Sequence, residues 1–476
     1  MNELITSIND VIWTYVLIGA LVGCGIWFTI RTRFVQFRMI GEMFRLLTDS
    51  AVDTVSNQLE EVSKNKKKKK HISSFQAFAV SVATRVGTGN LAGVASAIVI
   101  GGPGAVFWMW VIALVGSATA FVESTLAQLF KLHHNDSFIG GPAYYIQRGL
   151  HKRWMAVLFA VLMTLQFGLT NNSIQSNTIC SAMHEAFGWS PISVGVALAT
   201  VSLLIVFGGI HRIAKVSSVL VPVMAVGYLL VALVVIVMNI SAIPHVLKLI
   251  VTSAFGIEQV AGGGIGAAIM SGVRRGLFSN EAGEGSAPNV AATASTSHPV
   301  KQGLIQALGV FTDTLLVCSC TAFIILISGL YQVPELNGIA LTQSALQSEI
   351  GSVGPLFIAL AILLFAFSSI IGNYYYGEAN IRFITQSNTV MTIYRLFSAG
   401  VMIMFGAWAS FELVWNFVDL AMAFLTACNL VAIFLLGKWA FRLLDDYRKQ
   451  KRNGIKEPVF HKSQFPEIQG DIECWE

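Results

Sequence analysis

The chain has 476 residues, of which 54% are hydrophobic and only 12% are charged, and its formal net charge at pH 7 is +5. A soluble domain normally carries about a quarter charged residues. The composition therefore excludes a water-soluble globular protein and makes a lipid bilayer the expected solvent of most of the chain.

Membrane-spanning helices are the first predicted elements, because roughly 20 predominantly apolar residues are needed to cross the hydrocarbon core. The first candidate is too long for a cleaved signal peptide, and Glu3 and Asp10 precede it where Lys or Arg would be expected. The sequence predicts an all-α polytopic membrane protein of about 11 transmembrane helices. In chain order the candidates are 10–31, 74–100, 104–131, 153–182, 190–208, 214–239, 259–294, 302–330, 353–384, 390–409 and 411–440.

Lys and Arg collect in alternate loops. The loops 31–73, 131–153 and 209–215 and the tail after Lys438 contain basic residues, whereas 183–190 and 331–352 contain none. Since basic loops stay on the cytoplasmic side, this pattern predicts a cell-membrane protein with its N-terminus outside and its C-terminus in the cytoplasm. The lysine run at 64–70 is typical of a cytoplasmic loop that contacts anionic lipid, and we do not expect a nucleic-acid partner.

The second span contains the interruption RVGTGNLAG at residues 85–93. Gly87 and Gly89 allow the helix to unwind there, which frees backbone N–H and C=O groups, and Asn90 adds a side-chain carbonyl. Free N–H groups suit a substrate carboxylate and free carbonyls suit a cation. Close packing of neighbouring helices is the alternative explanation for the two glycines.

A related interruption, RGLFSNEAG at residues 275–283, lies in the seventh span. The two stretches share Arg, Asn, Ala and Gly at an offset of 190 residues, and each is followed by a carboxylate 33 residues after its Asn, Glu123 and Asp313. Five spans separate them, so the two halves would cross the membrane in opposite directions. Paired interrupted helices in inverted halves indicate the central site of a secondary transporter.

This repeat divides the chain into five parts. Residues 1–73 contain the first helix and the basic loop, 74–239 the first five-helix repeat, 240–258 an extracellular connection and 259–440 the second, inverted repeat. The polar tail 441–476 is too short for a domain, and we expect it to be flexible.

Other polar groups lie within the spans. The fourth span carries Asn172 and Gln175, which share a helix face, and the ninth carries the adjacent hydroxyls of Ser368 and Ser369. Arg274 and Arg275 could bind a carboxylate, but we expect them to pair with Glu123, Asp313, Glu281 or Glu284. We find no constellation typical of a membrane enzyme.

Four motifs resemble the alanine or glycine:cation symporters, the sodium:alanine symporter family: GTGNLAGVA (87–95), GGPGAVFWMWVIALVG (101–116), GGPAYYI (140–146) and RGLFSNEAGEGSAP (275–288). The resemblance covers nearly the whole chain. It implies a leucine-transporter-like fold with one extra N-terminal helix, and symport of a small neutral amino acid with sodium as the coupling ion and no other cofactor. The alternatives are a cation channel and a cation-coupled carrier of a different small organic solute.

The resemblance also implies roles for individual residues. The substrate would contact Gly87, Thr88, Gly89, Asn172, Gln175, Phe278 and Ser279, with Asn280 lining the second interruption. Sodium would lie between carbonyls around Ala83 to Val86, the Asn90 side chain and the hydroxyls of Ser368 and Ser369. Oxygen-only ligation suits such a hard cation.

The preferred substrate depends on Asn373. In similar transporters of alanine and glycine this position usually carries Trp, which would close a small pocket. Asn would enlarge the pocket and make its wall polar, as a glutamine side chain requires. Alanine, glycine and glutamine are therefore the expected substrates, unless Asn373 packs against a polar helix and the pocket stays small. The sequence leaves the oligomeric state open.

Overall fold

The computed structural model describes residues 2–64, 72–134, 137–256 and 264–475. Within these ranges the protein is an all-helical integral membrane protein, apart from one short hairpin. Eight described helices are long and apolar enough to cross a bilayer: α1 (Ile5–Arg31), α6 (Gly104–Leu129), α8 (Arg153–Phe187), α10 (Arg212–Met238), α14 (Pro299–Ser328), α16 (Val353–Ile384), α17 (Asn388–Trp408) and α18 (Phe411–Arg452).

The remaining elements are shorter. The apolar ones are α5 (Gly89–Gly101), α9 (Pro191–Val206) and α11 (Ile243–Ala254). The others are α2 (Val35–Arg38), α3 (Ile40–Lys64), α4 (Ser74–Arg85), α7 (Pro142–Gly149), α12 (Ile265–Asn280), α13 (Ala287–Ala291) and α15 (Gly338–Ile350). Strands β1 (Leu132–His134) and β2 (Ser137–Ile139) form an antiparallel hairpin.

Most of the predicted spans coincide with helices, and the ninth has the predicted bounds, 353–384. The seventh predicted span, 259–294, is divided among α12, a run of turns and α13, and its first residues lie outside the described ranges. The predicted lysine run at 64–70 also lies outside the described ranges, except for the backbone of Lys64. Apolar length did not predict α3 or α15, because neither helix is apolar along its whole length.

The expectation of a flexible tail after residue 440 is wrong. Helix α18 continues to Arg452, and the following segment folds back onto the end of the bundle. Five of its apolar side chains are buried: Phe460, Phe465, Ile468, Ile472 and Trp475. The Trp475 indole donates a hydrogen bond to the Gln128 carbonyl at the end of α6, 3.0 Å away. A few well-spaced aromatic residues in a polar sequence therefore suffice to fix this segment.

Charged side chains connect α3 to α18 outside the apolar spans. Glu42 accepts hydrogen bonds from Arg45 at 2.8 Å and from the Tyr447 hydroxyl at 2.6 Å, and the Lys451 ammonium lies 3.1 Å away. Burial alone would raise the pKa of Glu42, but these three donors outweigh burial and lower the pKa to about 2. The carboxylate therefore stays ionised at neutral pH and holds the two helices together.

Candidate functional site

The first interruption is a break in the helical hydrogen bonding, not only in the sequence pattern. Helix α4 ends at Arg85, Val86 is extended (φ −80°, ψ 92°), and helical structure resumes at Gly89. The freed N–H of Gly87 donates to the Asn90 side-chain carbonyl at 2.8 Å. Asn90 thus satisfies a backbone group that an interrupted helix would leave unpaired in the membrane interior.

Gln175 on α8 contacts the same break. Its side-chain carbonyl accepts hydrogen bonds from both the backbone N–H and the hydroxyl of Thr88, each at 2.9 Å. A Cβ added to Gly87 would lie 2.8 Å from that carbonyl oxygen and would also clash with the Ser369 hydroxyl. Glycine is therefore required at 87 by the close approach of α8 and α16 to the unwound backbone.

The second interruption begins where α12 ends at Asn280. Glu281 has a left-handed backbone conformation (φ 58°), and Gly283 and Gly285 have positive φ values of 96° and 81°. The Asn280 side chain accepts the Ala282 N–H at 3.0 Å, so each interruption uses its Asn to satisfy a freed amide. The two Asn side chains differ in direction, since Asn90 binds an amide three residues before it and Asn280 binds one two residues after it.

The two interruptions touch each other. A Cβ on Gly89 would lie 3.0 Å from the Phe278 ring and 3.1 Å from the Ser279 Cα, so a larger residue at 89 would push the two segments apart. Phe278 in turn packs edge-to-face on Trp415 of α18, with ring centroids 4.7 Å apart.

Asp313 on α14 joins both interruptions through hydrogen bonds. Its carboxylate accepts from the Asn90 amide at 2.6 Å, from the Ser279 hydroxyl at 2.8 Å and from the Thr314 hydroxyl at 2.9 Å. The sequence placed this carboxylate at membrane depth, and the structure identifies its partners. A buried carboxylate with three donors is stable only where all three are held in place.

The backbone and hydroxyl oxygens predicted to bind sodium come together. The Ser369 hydroxyl lies 2.8 Å from the Ala83 carbonyl and 3.4 Å from the Val86 carbonyl, and the Ser368 hydroxyl lies 3.4 Å from the Ala83 carbonyl. The predicted fifth member, Asn90, instead contacts Gly87 and Asp313. The described residues contain no group of three or more His, Cys, Asp or Glu that could hold a metal ion.

The two predicted amides of the fourth span contact different helices. Gln175 contacts the first interruption, whereas Asn172 donates to the Ser398 hydroxyl on α17 at 2.9 Å. The Asn172 side-chain oxygen has no hydrogen-bond partner within the described part of the chain. Asn373 on α16 is 1% exposed, and neither its amide nitrogen nor its oxygen has a described partner. Asn373 is therefore packed in the interior without a hydrogen bond to another described residue, and the size of the pocket stays a prediction.

Arg274 and Arg275 each pair with a carboxylate, as expected, but the predicted carboxylates were wrong. Arg275 is bidentate to Asp419 of α18, at 2.9 and 2.7 Å, and its guanidinium lies 4.0 Å from the centre of the Trp415 ring. Arg274 lies 3.6 Å from Asp419 and 3.5 Å from Asp10. The sequence signal that could have identified this pair was a single Asp inside the last apolar span, since an intramembrane carboxylate needs a partner.

Glu123 of α6 contacts the second interruption. It accepts the Gly283 N–H at 3.3 Å and the Asn429 amide at 2.9 Å, and Asn429 also donates to the Gly283 carbonyl at 2.9 Å. The two carboxylates predicted to be equivalent, Glu123 and Asp313, thus both contact the second interruption, and only Asp313 also contacts the first.

Comparison with known proteins gives consistent relatives. The family model described as "Sodium:alanine symporter family" matches residues 1–462. The chain is 52% identical to the probable sodium/glutamine symporter GlnT of Bacillus subtilis, with 100% of this chain and 96% of the relative covered. It is 36% identical to the sodium/alanine symporter AgcS of Methanococcus maripaludis, with 91% and 94% covered.

Among solved structures, the chain resembles a manganese transporter from Eremococcus coleocola. The TM-score is 0.54 at 14% sequence identity, with 78% of this chain and 84% of the other covered. At this identity the likeness concerns the fold alone.

Proposed function

Because this chain belongs to the sodium:alanine symporter family, a transporter family and not an enzyme class, we propose that it imports small neutral amino acids together with sodium. Transport proceeds by alternating access to a site between the two interrupted helices. The observation that carries this proposal is the Asp313 carboxylate, which accepts hydrogen bonds from Asn90 in one interruption and Ser279 in the other. A site built from both halves changes when one half moves against the other.

The substrate carboxylate binds at the first interruption. The N–H groups of Gly87 and Thr88 lie at the start of α5, where the helix dipole favours an anion. In the structure the side-chain carbonyls of Asn90 and Gln175 accept hydrogen bonds from these N–H groups. A substrate carboxylate is a stronger acceptor and displaces one or both. Phe278 covers the substrate from the second interruption.

Sodium binds on the other side of the same break. The carbonyls of Ala83 and Val86 and the hydroxyls of Ser368 and Ser369 supply four oxygens. Both hydroxyls lie within hydrogen-bond distance of the Ala83 carbonyl, and the Ser369 hydroxyl also lies within that distance of the Val86 carbonyl. A monovalent hard cation can replace the hydroxyl protons as the partner of both carbonyls. Because the substrate and the cation share one unwound segment, binding of each favours the other.

The architecture consists of eleven spans, of which the last ten form two inverted five-helix repeats. The helix order supports this assignment, since α4–α5, α6, α8, α9 and α10 correspond in sequence order to α12–α13, α14, α16, α17 and α18. In addition, the Ser117 hydroxyl of α6 donates to the Ala307 carbonyl of α14 at 3.0 Å, and these two residues are separated by the 190-residue offset of the motifs. The N-terminus faces outward and the C-terminus the cytoplasm of a cell membrane, as the basic loops favour.

Glutamine is among the substrates. The relative with 52% identity is a probable sodium/glutamine symporter, and the buried amide of Asn373 has free donor and acceptor groups that match a substrate amide. Asn373→Trp should therefore suppress glutamine uptake more than alanine uptake. Equal loss of both substrates would refute this assignment of Asn373.

The decisive experiment measures uptake of labelled alanine, glycine and glutamine into proteoliposomes, with and without an inward sodium gradient. Sodium-driven accumulation, carrying positive charge inward and abolished when the gradient collapses, is expected. A channel would instead pass current in sodium alone at rates far above those of a carrier, and a carrier of another solute would accumulate none of the three amino acids.

A further inference from the structure

Four carboxylates lie in the interior of the bundle near one arginine. Glu123, Glu281, Glu284 and Asp313 are 0%, 2%, 1% and 0% exposed, and Arg85 is 1% exposed. Arg85 is close enough to interact electrostatically with all four. One arginine can neutralise only one of them, so the remaining negative charge must be removed in another way.

Three of these carboxylates have hydrogen-bond donors that stabilise them. Asp313 has three donors and Glu123 has two. Glu281 accepts from the Ser286 hydroxyl at 2.5 Å and from the Thr84 hydroxyl at 3.4 Å. Glu284 differs, because its Oε1 has no hydrogen-bond partner among the described residues.

Glu284 also has like charges nearby. Its charged neighbours are Glu281 on its own segment, Glu123 on α6 and Arg85 on α4. The hydroxyls of Tyr145 on α7 and Tyr376 on α16 lie near Glu123, and that of Tyr376 also near Glu281. An ionised carboxylate in a low-dielectric interior is very costly unless it is paired and hydrogen-bonded. In this buried environment the neutral acid is therefore the stable form of Glu284.

Building on the proposed function, we propose that Glu284 is a proton-binding site of the transport cycle. The carboxylate takes one proton from water when its surroundings are open, carries it as the neutral acid in the closed state and returns it to water on opening. Its position supports this role, because the adjacent Gly285 packs against Pro142, Phe159 and Asn429 on three helices that must separate before water can reach it. Transport then depends on pH through Glu284 while sodium binds elsewhere.

The test uses proteoliposomes containing the full-length protein and a trapped pH indicator. Glu284→Gln keeps the shape of the neutral acid and cannot exchange the proton. We expect this variant to retain sodium-driven uptake, to lose the pH dependence of uptake and to lose substrate-induced proton movement. Glu335→Gln is the matched control, since it makes the same chemical change at an exposed loop position and should behave as wild type.

Several results would overturn the proposal. One is a wild-type pH profile and wild-type proton movement in Glu284→Gln. Another is a raised half-saturating sodium concentration with an unchanged pH profile, which would make Glu284 a sodium ligand. If wild-type uptake does not depend on sodium at all, the proposed function fails instead, and the two failures are distinct.

A measurement on the wild-type protein keeps the proposal testable if the variant does not fold. Infrared difference spectra between substrate-free and substrate-bound protein should contain a protonated-carboxyl C=O band that shifts in heavy water. If substrate binding changes no such band, no carboxyl group exchanges a proton in the cycle, and the proposal is wrong.

Discussion

Three glycines of the first interruption should respond very differently to alanine. An added methyl group at Gly87 meets the Gln175 carbonyl oxygen at 2.8 Å, and one at Gly89 meets the Phe278 ring at 3.0 Å. At Gly93 the nearest described atom is 3.7 Å away, which is an ordinary van der Waals contact. The three substitutions are chemically identical and lie within two helical turns of each other. Gly93→Ala is therefore the matched control for the other two.

The expected magnitude follows from the contacts. Overpacking by one methyl group where the neighbours cannot move away costs about 1–3 kcal/mol. If the strain is relieved by separating the interruption from its neighbours, the loss is in substrate affinity, roughly 5- to 150-fold. Gly87→Ala and Gly89→Ala should therefore raise the substrate concentration at half-maximal uptake by this factor, roughly 5- to 150-fold.

Uptake kinetics in proteoliposomes, together with thermal stability of the purified variants, test this prediction. Gly93→Ala should match the wild type in both measurements. Gly93→Ala could instead impair uptake as strongly as the other two variants. General helix packing, and not the close approach of the interruption to its neighbours, would then explain why glycine occupies these positions. If Gly87→Ala transports normally, the contact with α8 is not required.

Three further predictions concern other contacts. Ser369→Ala removes an oxygen proposed for the cation shell, at about 1–3 kcal/mol, and should raise the half-saturating sodium concentration; unchanged sodium dependence in the folded variant would move the cation site elsewhere. Asp419→Asn leaves Arg275 buried without a carboxylate, which costs about 3–5 kcal/mol, and a melting temperature equal to that of wild type would contradict this. Because the pKa of Glu42 is lowered to about 2 from an ordinary value of 4.5, its stabilisation is complete above pH 4.5 and is lost as the pH falls towards 2. Glu42→Gln should thus destabilise the protein at pH 7 and not at pH 2, and an equal effect at both would refute the assignment.

The sequence alone located most of the spans and both interruptions. Apolar length is a local property, so the bounds 353–384 could be read from composition. The interruptions were equally local, because glycine and asparagine at fixed spacing can unwind a helix and satisfy its freed amides. The repetition of the motif at an offset of 190 residues added information that neither copy carried alone.

Partners across the bundle could not be predicted in the same way. Four carboxylates were expected as partners of the arginine pair, yet Arg275 pairs with Asp419, 144 residues further along. Which carboxylate an arginine reaches depends on how whole helices pack, and no local pattern encodes that. The ordered tail escaped prediction for the same reason, since Trp475 is fixed by α6, 347 residues earlier.

A chain of hydrogen bonds through Asp313 connects the two interruptions. The Gly87 N–H binds the Asn90 side chain, Asn90 binds Asp313, and Asp313 binds Ser279 of the other half. A cation at Ala83 would fix the backbone on one side of Gly87, and a substrate carboxylate would compete for the N–H on the other. Each event changes how Asn90 is held and therefore how firmly Asp313 joins the two halves. Coupling between the cation and the substrate then requires no contact between them, only one shared segment with two hydrogen-bonding arrangements.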